Sequence, residues 1–282
     1  MKPEKQFLQQ PKHFWANVRS ISEKVGYTQK RTRQVKTPTL AEIAEALQSL
    51  GLATSYVVDE DGRHTELGLT LVAYFKYRAE VLNAYVEPRL MDADRAKRVF
   101  AELYGKYKPK CPIPMNKQKR EKKAPAYLTG IVNTLIEAHA DGLPCEYDPL
   151  RLTTITRDNA PLRTLARRVD GAFPSALNPI AIWEIKEYYY TTTFGSRVAD
   201  GVYESLLDGM ELEEVREHEN VDTKHYLIVD AYYTWWLLGR SYLCRIIDML
   251  HMGYVDEVLF GYEVVERLPE IVTEWVNIAR NS

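Results

Sequence analysis

Residues 181–197 read AIWEIKEYYYTTTFGSR, with Glu184 and Lys186 two positions apart inside an apolar run. On a β-strand alternate residues share a face, so Ile182, Glu184 and Lys186 project one way while Trp183 and Ile185 project the other. A carboxylate and an ammonium on one face of a buried strand are costly unless they are paired or bind a cation. Asp170 stands fourteen positions before Glu184, at the end of an expected strand in LARRVDGAF. A hairpin through residues 174–179 brings the two carboxylates side by side. They repel each other, which makes a hard divalent cation their natural occupant. The plain alternative is a cross-strand ion pair.

Two other acid-x-Lys triplets occur, Glu121-Lys123 and Asp222-Lys224. The first lies in a basic, Pro-containing stretch and the second in a polar turn. Only Glu184-Lys186 lies in an apolar strand with an aspartate one hairpin upstream. The six histidines form no metal set, and no HExxH or Ser-His-Asp pattern competes. No glycine-rich phosphate loop is present, which argues against NTP-driven translocation. Cys111, Cys145 and Cys244 show neither metal spacing nor a pairing pattern.

The elements around these residues alternate. Residues 124–142 predict an amphipathic helix with Leu128, Ile131, Val132 and Leu135 inward. Strands follow at LARRVDGAF and IAIWEIKEYYY, a helix at SRVADGVYESLLDGMEL, a strand at KHYLIVDAYYTWW, a helix at GRSYLCRIIDMLHMG, a strand at VDEVLFGYEVV and a last helix. Such an order predicts an α/β (α+β) domain, a mixed central sheet flanked by helices. Tyr232, Tyr233, Trp235 and Trp236 read as core and interface residues, the latter suited to a dimer.

The first hundred residues follow a helical pattern. Phe14, Val18, Ile21 and Val25 fall at helical spacing, and Leu40, Ile43, Ala44, Leu47 and Leu50 make one face of a second helix. Thr39 with Glu42 is a capping box and Gly51 a stop. A hairpin turning at Asp61-Gly62 and a further helix follow. Over residues 12–87 this order resembles a winged helix-turn-helix. That resemblance implies DNA contact, with Lys30, Arg31, Arg33 and Lys36 facing phosphates. The expected division is 1–106 as this helical domain, 107–123 as an exposed basic connector and 124–282 as the sheet-containing domain.

Charge supports a polyanion partner. The net charge is only −2, yet residues 1–36 hold nine Lys/Arg against two Glu, and residues 106–123 hold eight against one. Basic segments beside an acidic remainder suit nucleic acid without a globally basic chain. No run reaches the roughly 18 apolar residues of a membrane span, and MKPEKQFLQQPKHF lacks the apolar core of a signal peptide. A cytoplasmic, reduced protein is expected.

Asp170 followed by Glu184-Ile185-Lys186 resembles the PD-(D/E)XK nuclease superfamily, the fold of many restriction endonucleases. Val169 stands where the superfamily usually has proline. The resemblance covers about residues 124–275. It implies a Mg²⁺-dependent endonuclease acting on double-stranded DNA, as in type II restriction enzymes. Repair, phage-defence and transposon-associated nucleases share the fold. Asp170, Glu184 and the Ile185 carbonyl are implied as Mg²⁺ ligands. Lys186 would orient or deprotonate the attacking water, and Glu137, on the preceding helix, matches an acidic position of the superfamily. Tyr188, Tyr190, Thr191 and Thr193 offer hydroxyls and rings to DNA, and Ser196 and Arg197 open a helix where a phosphate can bind. A homodimer supplies two active centres for a double-strand break. A cognate DNA methyltransferase would accompany a restriction enzyme. The competing class is a winged-helix transcription regulator with a dimerisation domain, in which Asp170, Glu184 and Lys186 do not converge.

Overall fold

The computed structural model describes residues 1–118, 121–190 and 195–281. Helices α1 (Lys5–Leu8), α2 (Lys12–Val25), α3 (Leu40–Ser49) and α4 (Glu66–Val81) come first. Phe14, Trp15, Val18, Ile21, Ile43, Leu47, Leu71, Tyr74 and Phe75 close their shared core. The capping box forms as its residue types require: Thr39 Oγ1 accepts from Glu42 N, and the Glu42 carboxylate accepts from Thr39 N at 2.8 Å. The expected hairpin is reduced to one bridge, Val58 with His64, and Gly62 takes the positive φ its turn demands. The basic segment after α2 is itself bridged, Thr28 to Val35.

Helix α4 runs through a π-helical turn (Leu82–Val86) into α5 (Glu87–Arg89), and α6 (Ala93–Tyr107) follows. The stretch expected as an exposed connector folds as a hairpin, β1 (Met115–Gln118) with β2 (Glu121–Pro125). Its approach is anchored to the following helix, α7 (Tyr127–His139): Asn133 Nδ2 donates to Pro112 O at 2.9 Å. Lysine-rich composition hid this, because the backbone there is satisfied by the hairpin and by α7 rather than by an apolar stripe of its own.

A mixed five-stranded sheet forms the centre. It is built from β3 (Glu146–Tyr147), β6 (Gly171–Phe173), β7 (Ala181–Glu187), β8 (Lys224–Asp230) and β9 (Glu257–Phe260), in that spatial order. The pairs β3–β6 and β6–β7 are antiparallel, whereas β7–β8 and β8–β9 are parallel. Helices α8 (Ser196–Glu219) and α9 (Arg240–His251) make the two parallel crossovers, and α10 (Glu263–Asn281) follows β9. One face of the sheet packs Trp183, Tyr226 and Ile228 against α7 and α10. The other packs Leu227 and Val229 against Val198 and Val202 of α8 and Leu243 and Ile247 of α9. A small hairpin, β4 (Thr154–Arg157) with β5 (Ala160–Thr164), lies beside the sheet. It and β3 have no counterpart among the expected elements.

Two expected strands are shorter than their apolar runs. Of LARRVDGAF only Gly171–Phe173 is strand, so Arg167 and Asp170 lie on the irregular approach to it. Strand β8 ends at Asp230, and a π-helical turn (Tyr233–Leu238) replaces the extension through Trp236. Trp235 and Trp236 are buried there, while Tyr233 is exposed. No helix among the described residues is long and apolar enough to cross a membrane.

Candidate active site

The geometry begins with β6 and β7. Gly171 pairs with Trp183, and a side chain at 171 would run into the indole, its Cβ only 2.0 Å from the ring. The absence of a side chain lets Trp183 lie across this position and stack on Trp275, centroids 5.6 Å apart. That face of β7 is thereby fixed, and the opposite face presents Ile182, Glu184 and Lys186. Asp170, one residue before the pairing, accepts from Ile185 N through Oδ2 at 2.7 Å. The expected hairpin thus brings Asp170 to the Glu184–Lys186 segment.

Helix α8 crosses over the charged face. Its inward stripe runs Gly201, Ser205, Asp208, Leu212 and Val215, all buried. Leu212 and Val215 cover Ile182. Gly201 leaves room for the lysine: an added Cβ there would stand 3.1 Å from Lys186 Cδ and 2.8 Å from Tyr188 Oη. Between these ends the helix supplies two acids. Lys186 Nζ donates to Glu184 Oε2 at 2.7 Å and to Glu204 Oε2 at 2.8 Å. Arg167 Nη1 donates to Asp208 Oδ2 at 2.7 Å, and Nη2 donates to Glu184 Oε2 at 3.2 Å and Glu204 Oε2 at 3.3 Å.

Four carboxyls, Asp170, Glu184, Glu204 and Asp208, therefore face two cations, Arg167 and Lys186. The negative surplus is visible in the protonation of the group. Burial, then the charge of Glu184, pushes Asp170 up to about 6, and the same two causes push Asp208 up to about 7. Burial also opposes the charge of Glu184, but Lys186 and Arg167 outweigh it and hold Glu184 below the usual carboxylate range. Lys186 is pulled down by burial and raised by Glu184 and Asp170, with the net result above the ordinary lysine range. Two buried oxygens lack a hydrogen bond, Asp208 Oδ1 and Glu184 Oε1. The latter lies 2.8 Å from Arg167 Nη1, close enough for ion pairing without hydrogen-bond alignment. Among the described residues no three His, Cys, Asp or Glu side chains already stand together as a ligand set.

Other expected site residues lie elsewhere. Glu137 is not brought to this cluster: α7 packs on the Trp183 face of the sheet, and Glu137 Oε2 accepts from Lys110 N at 2.7 Å. The helix that does bring acids to the cluster is α8, with Glu204 and Asp208. Tyr188 donates to Arg197 O at 2.9 Å and stacks on Trp235, so its hydroxyl closes the start of α8. Tyr190, Ser196 and Arg197 are exposed, and Thr191 and Thr193 lie outside the described residues. Lys36 Nζ donates to Val25 O and Arg33 to Leu237 O, whereas Lys30 and Arg31 are exposed. Lys224 pairs with Asp222 and Asp256 in an open network at the other end of β8.

Arg167, Glu204 and Asp208 were absent from the sequence expectation. Asp208 had a signal: it is an acid in the apolar stripe of an amphipathic helix, where Asp is rarely buried unpaired. Glu204 lies one turn before it. Arg167 had none, since a loop arginine follows no period.

A family model described as "Domain of unknown function (DUF7687)" matches residues 91–275. A second, described as "Domain of unknown function (DUF7690)", matches residues 1–85. No curated protein and no solved structure matches the chain.

Proposed function

The chain belongs to the DUF7687 family, whose description carries no activity, and from the charged face of β7 we propose that it is a Mg²⁺-dependent endonuclease of double-stranded DNA with a PD-(D/E)XK, restriction-endonuclease-like catalytic domain. The observation that carries the proposal is the acidic cluster, four carboxyls facing two cations, built on the Asp170 and Glu184-x-Lys186 positions. A transcription regulator has no use for a buried surplus of this kind, and a structural ion pair would be balanced. The donor set fits a hard divalent cation: it is all oxygen, and one of its buried carboxylate oxygens, Glu184 Oε1, has no hydrogen bond.

Asp170 and Glu184, with the Ile185 carbonyl, would hold Mg²⁺. When bound, the ion supplies Lewis-acid polarisation of a phosphodiester and a more acidic water. The chain's own residues do the rest. Lys186 is held charged by Glu184 and Glu204, so it serves as a hydrogen-bond donor that orients water and offsets phosphate charge. Glu204 fixes the ammonium from the α8 side, and Gly201 gives the lysine stem its channel. Asp170, tied to Ile185 N, keeps one oxygen turned to the strand. The flanking N-terminal helical domain, with Lys30 and Arg31 exposed, would clamp the DNA backbone. A homodimer would provide paired centres for a double-strand cut, and a companion DNA methyltransferase would mark a type II restriction system.

The test is incubation of plasmid DNA with the purified protein and Mg²⁺, with the ends of any products sequenced. Mg²⁺-dependent breaks that vanish in Asp170→Ala are expected. Robust cutting by that variant, or none by the native chain on any methylation-free substrate, overturns the proposal.

A further inference from the structure

With the nuclease reading as its premise, we infer that Arg167 is the resident counter-cation of the acidic cluster, that a divalent cation must displace its guanidinium from Glu184, and that the displaced guanidinium turns to the DNA phosphate. Arg167 is the one cation of the pair able to leave. Lys186 is rooted on a central strand and is 7% exposed. Arg167 lies on the irregular approach to β6, and its side chain is 24% exposed. Its contacts in the cluster are all to carboxylates, three of them: Glu184, Glu204 and Asp208.

Its position is also the obstructing one. Nη1 stands 2.8 Å from Glu184 Oε1, the oxygen without a hydrogen bond, and 2.7 Å from Asp208 Oδ2. A cation ligated by Glu184 Oε1 would meet a like charge at contact distance, an unfavourable encounter in a partly dry site. Arg167 therefore holds three of the four carboxyls together before the metal arrives and competes with it afterwards. A phosphodiester gives the displaced guanidinium a bidentate partner. Duplex and divalent cation then strengthen each other's binding, since each favours the same arrangement of Arg167. The arginine would weaken metal binding until DNA is present.

Calorimetric titration of the full chain with Mg²⁺ alone, without DNA, tests this. Arg167→Gln is expected to bind Mg²⁺ at least about tenfold more tightly than the native chain, because a charge competing at contact distance is gone. Glu184→Gln is expected to lose the binding heat. Arg167→Lys keeps a charge but not the fork, and its affinity should fall between native and Arg167→Gln; it carries the test if the glutamine variant fails to fold by circular dichroism. An unchanged or weaker Mg²⁺ affinity in the folded Arg167 variants, with Glu184-dependent binding intact in the native chain, overturns the inference and leaves the nuclease reading standing. No Glu184-dependent Mg²⁺ binding in any variant overturns both.

Discussion

Arg78 and Arg167 are both arginines held by aspartate, and their neighbourhoods differ in how the charge closes. Arg78, on α4, is wholly buried and meets one carboxylate, Asp248 of α9, with Nη1 2.9 and 3.0 Å from its two oxygens, and donates also to Ser22 Oγ at 3.4 Å. Tyr74 Oη donates to the same carboxylate at 2.6 Å, and the guanidinium lies over the Phe75 ring at 4.9 Å. One cation meets one anion, with aromatic walls, and the pair pins the first helical domain to the sheet domain. Around Arg167 one strand, one loop and one helix bring four carboxyls to two cations. A balanced buried pair couples elements; in the second cluster the carboxyls outnumber the cations.

Removing a carboxylate from the unbalanced site should produce the largest effect and the clearest contrast. Glu184→Ala or Asp170→Ala should lower Mg²⁺-dependent cleavage by roughly a thousandfold or more, since the charge that would hold the ion is lost. Both should remain folded, and binding to DNA in Ca²⁺ should survive. Asp248→Ala should do the converse. Leaving Arg78 buried without its partner should destabilise the chain by about 3–5 kcal/mol in urea unfolding. Undiminished stability in Asp248→Ala would dissolve the distinction between the two arginines.

Two acid-x-Lys triplets sharpen the contrast at a smaller scale. Lys186→Ala should slow cleavage more than about tenfold with little change in DNA affinity, as expected of a group acting at the reacting phosphate. Lys224→Ala should behave as the native chain, because its side chain pairs at the surface with Asp222 and Asp256. Equal damage from both substitutions would mean that burial of the first triplet has no catalytic meaning.

What the sequence disclosed follows periodicity. The alternating strand at residues 181–187, the capped helix from Thr39 and the helix–strand order after residue 124 were legible because burial imposes periods of 2 and 3.6 on apolar residues. The site was legible where it shares a strand, at Glu184 and Lys186, and where one hairpin joins it, at Asp170. Glu137 was misplaced because a helix position says which turn a residue occupies but not which face of the sheet the helix covers. Glu204 and Asp208 reach the site across a parallel crossover, and Arg167 through an irregular loop. Those contacts depend on tertiary placement that no local spacing encodes. The β1–β2 hairpin was hidden for a related reason: its pairing is backbone to backbone, and lysines on a short hairpin leave no apolar alternation to read.

The same separation of tied from untied charge divides the four basic residues after α2, and here the expected effects are smallest. Arg33 donates to Leu237 O and Lys36 to Val25 O, so both are spent on backbone carbonyls, the second at the C-terminal end of α2. Lys30 and Arg31 are exposed and have no hydrogen-bond or ion-pair partner among the described residues. If the helical domain clamps DNA, the untied pair makes the phosphate contacts. Lys30→Ala with Arg31→Ala should then weaken binding to specific and scrambled duplexes alike. It should also flatten the slope of log K against log salt by about 0.9 for each phosphate no longer neutralised. Base preference should persist, since phosphate contacts set position rather than identity. Arg33→Ala with Lys36→Ala should instead leave the slope nearly unchanged and lower the melting temperature modestly, as carbonyl anchors are removed. Binding titrations in Ca²⁺ across a salt series, with a melt of each variant, separate the two pairs. A salt slope that responds to Arg33 and Lys36 but not to Lys30 and Arg31 would show that tied cations are released on DNA, which would extend to this domain the behaviour inferred for Arg167.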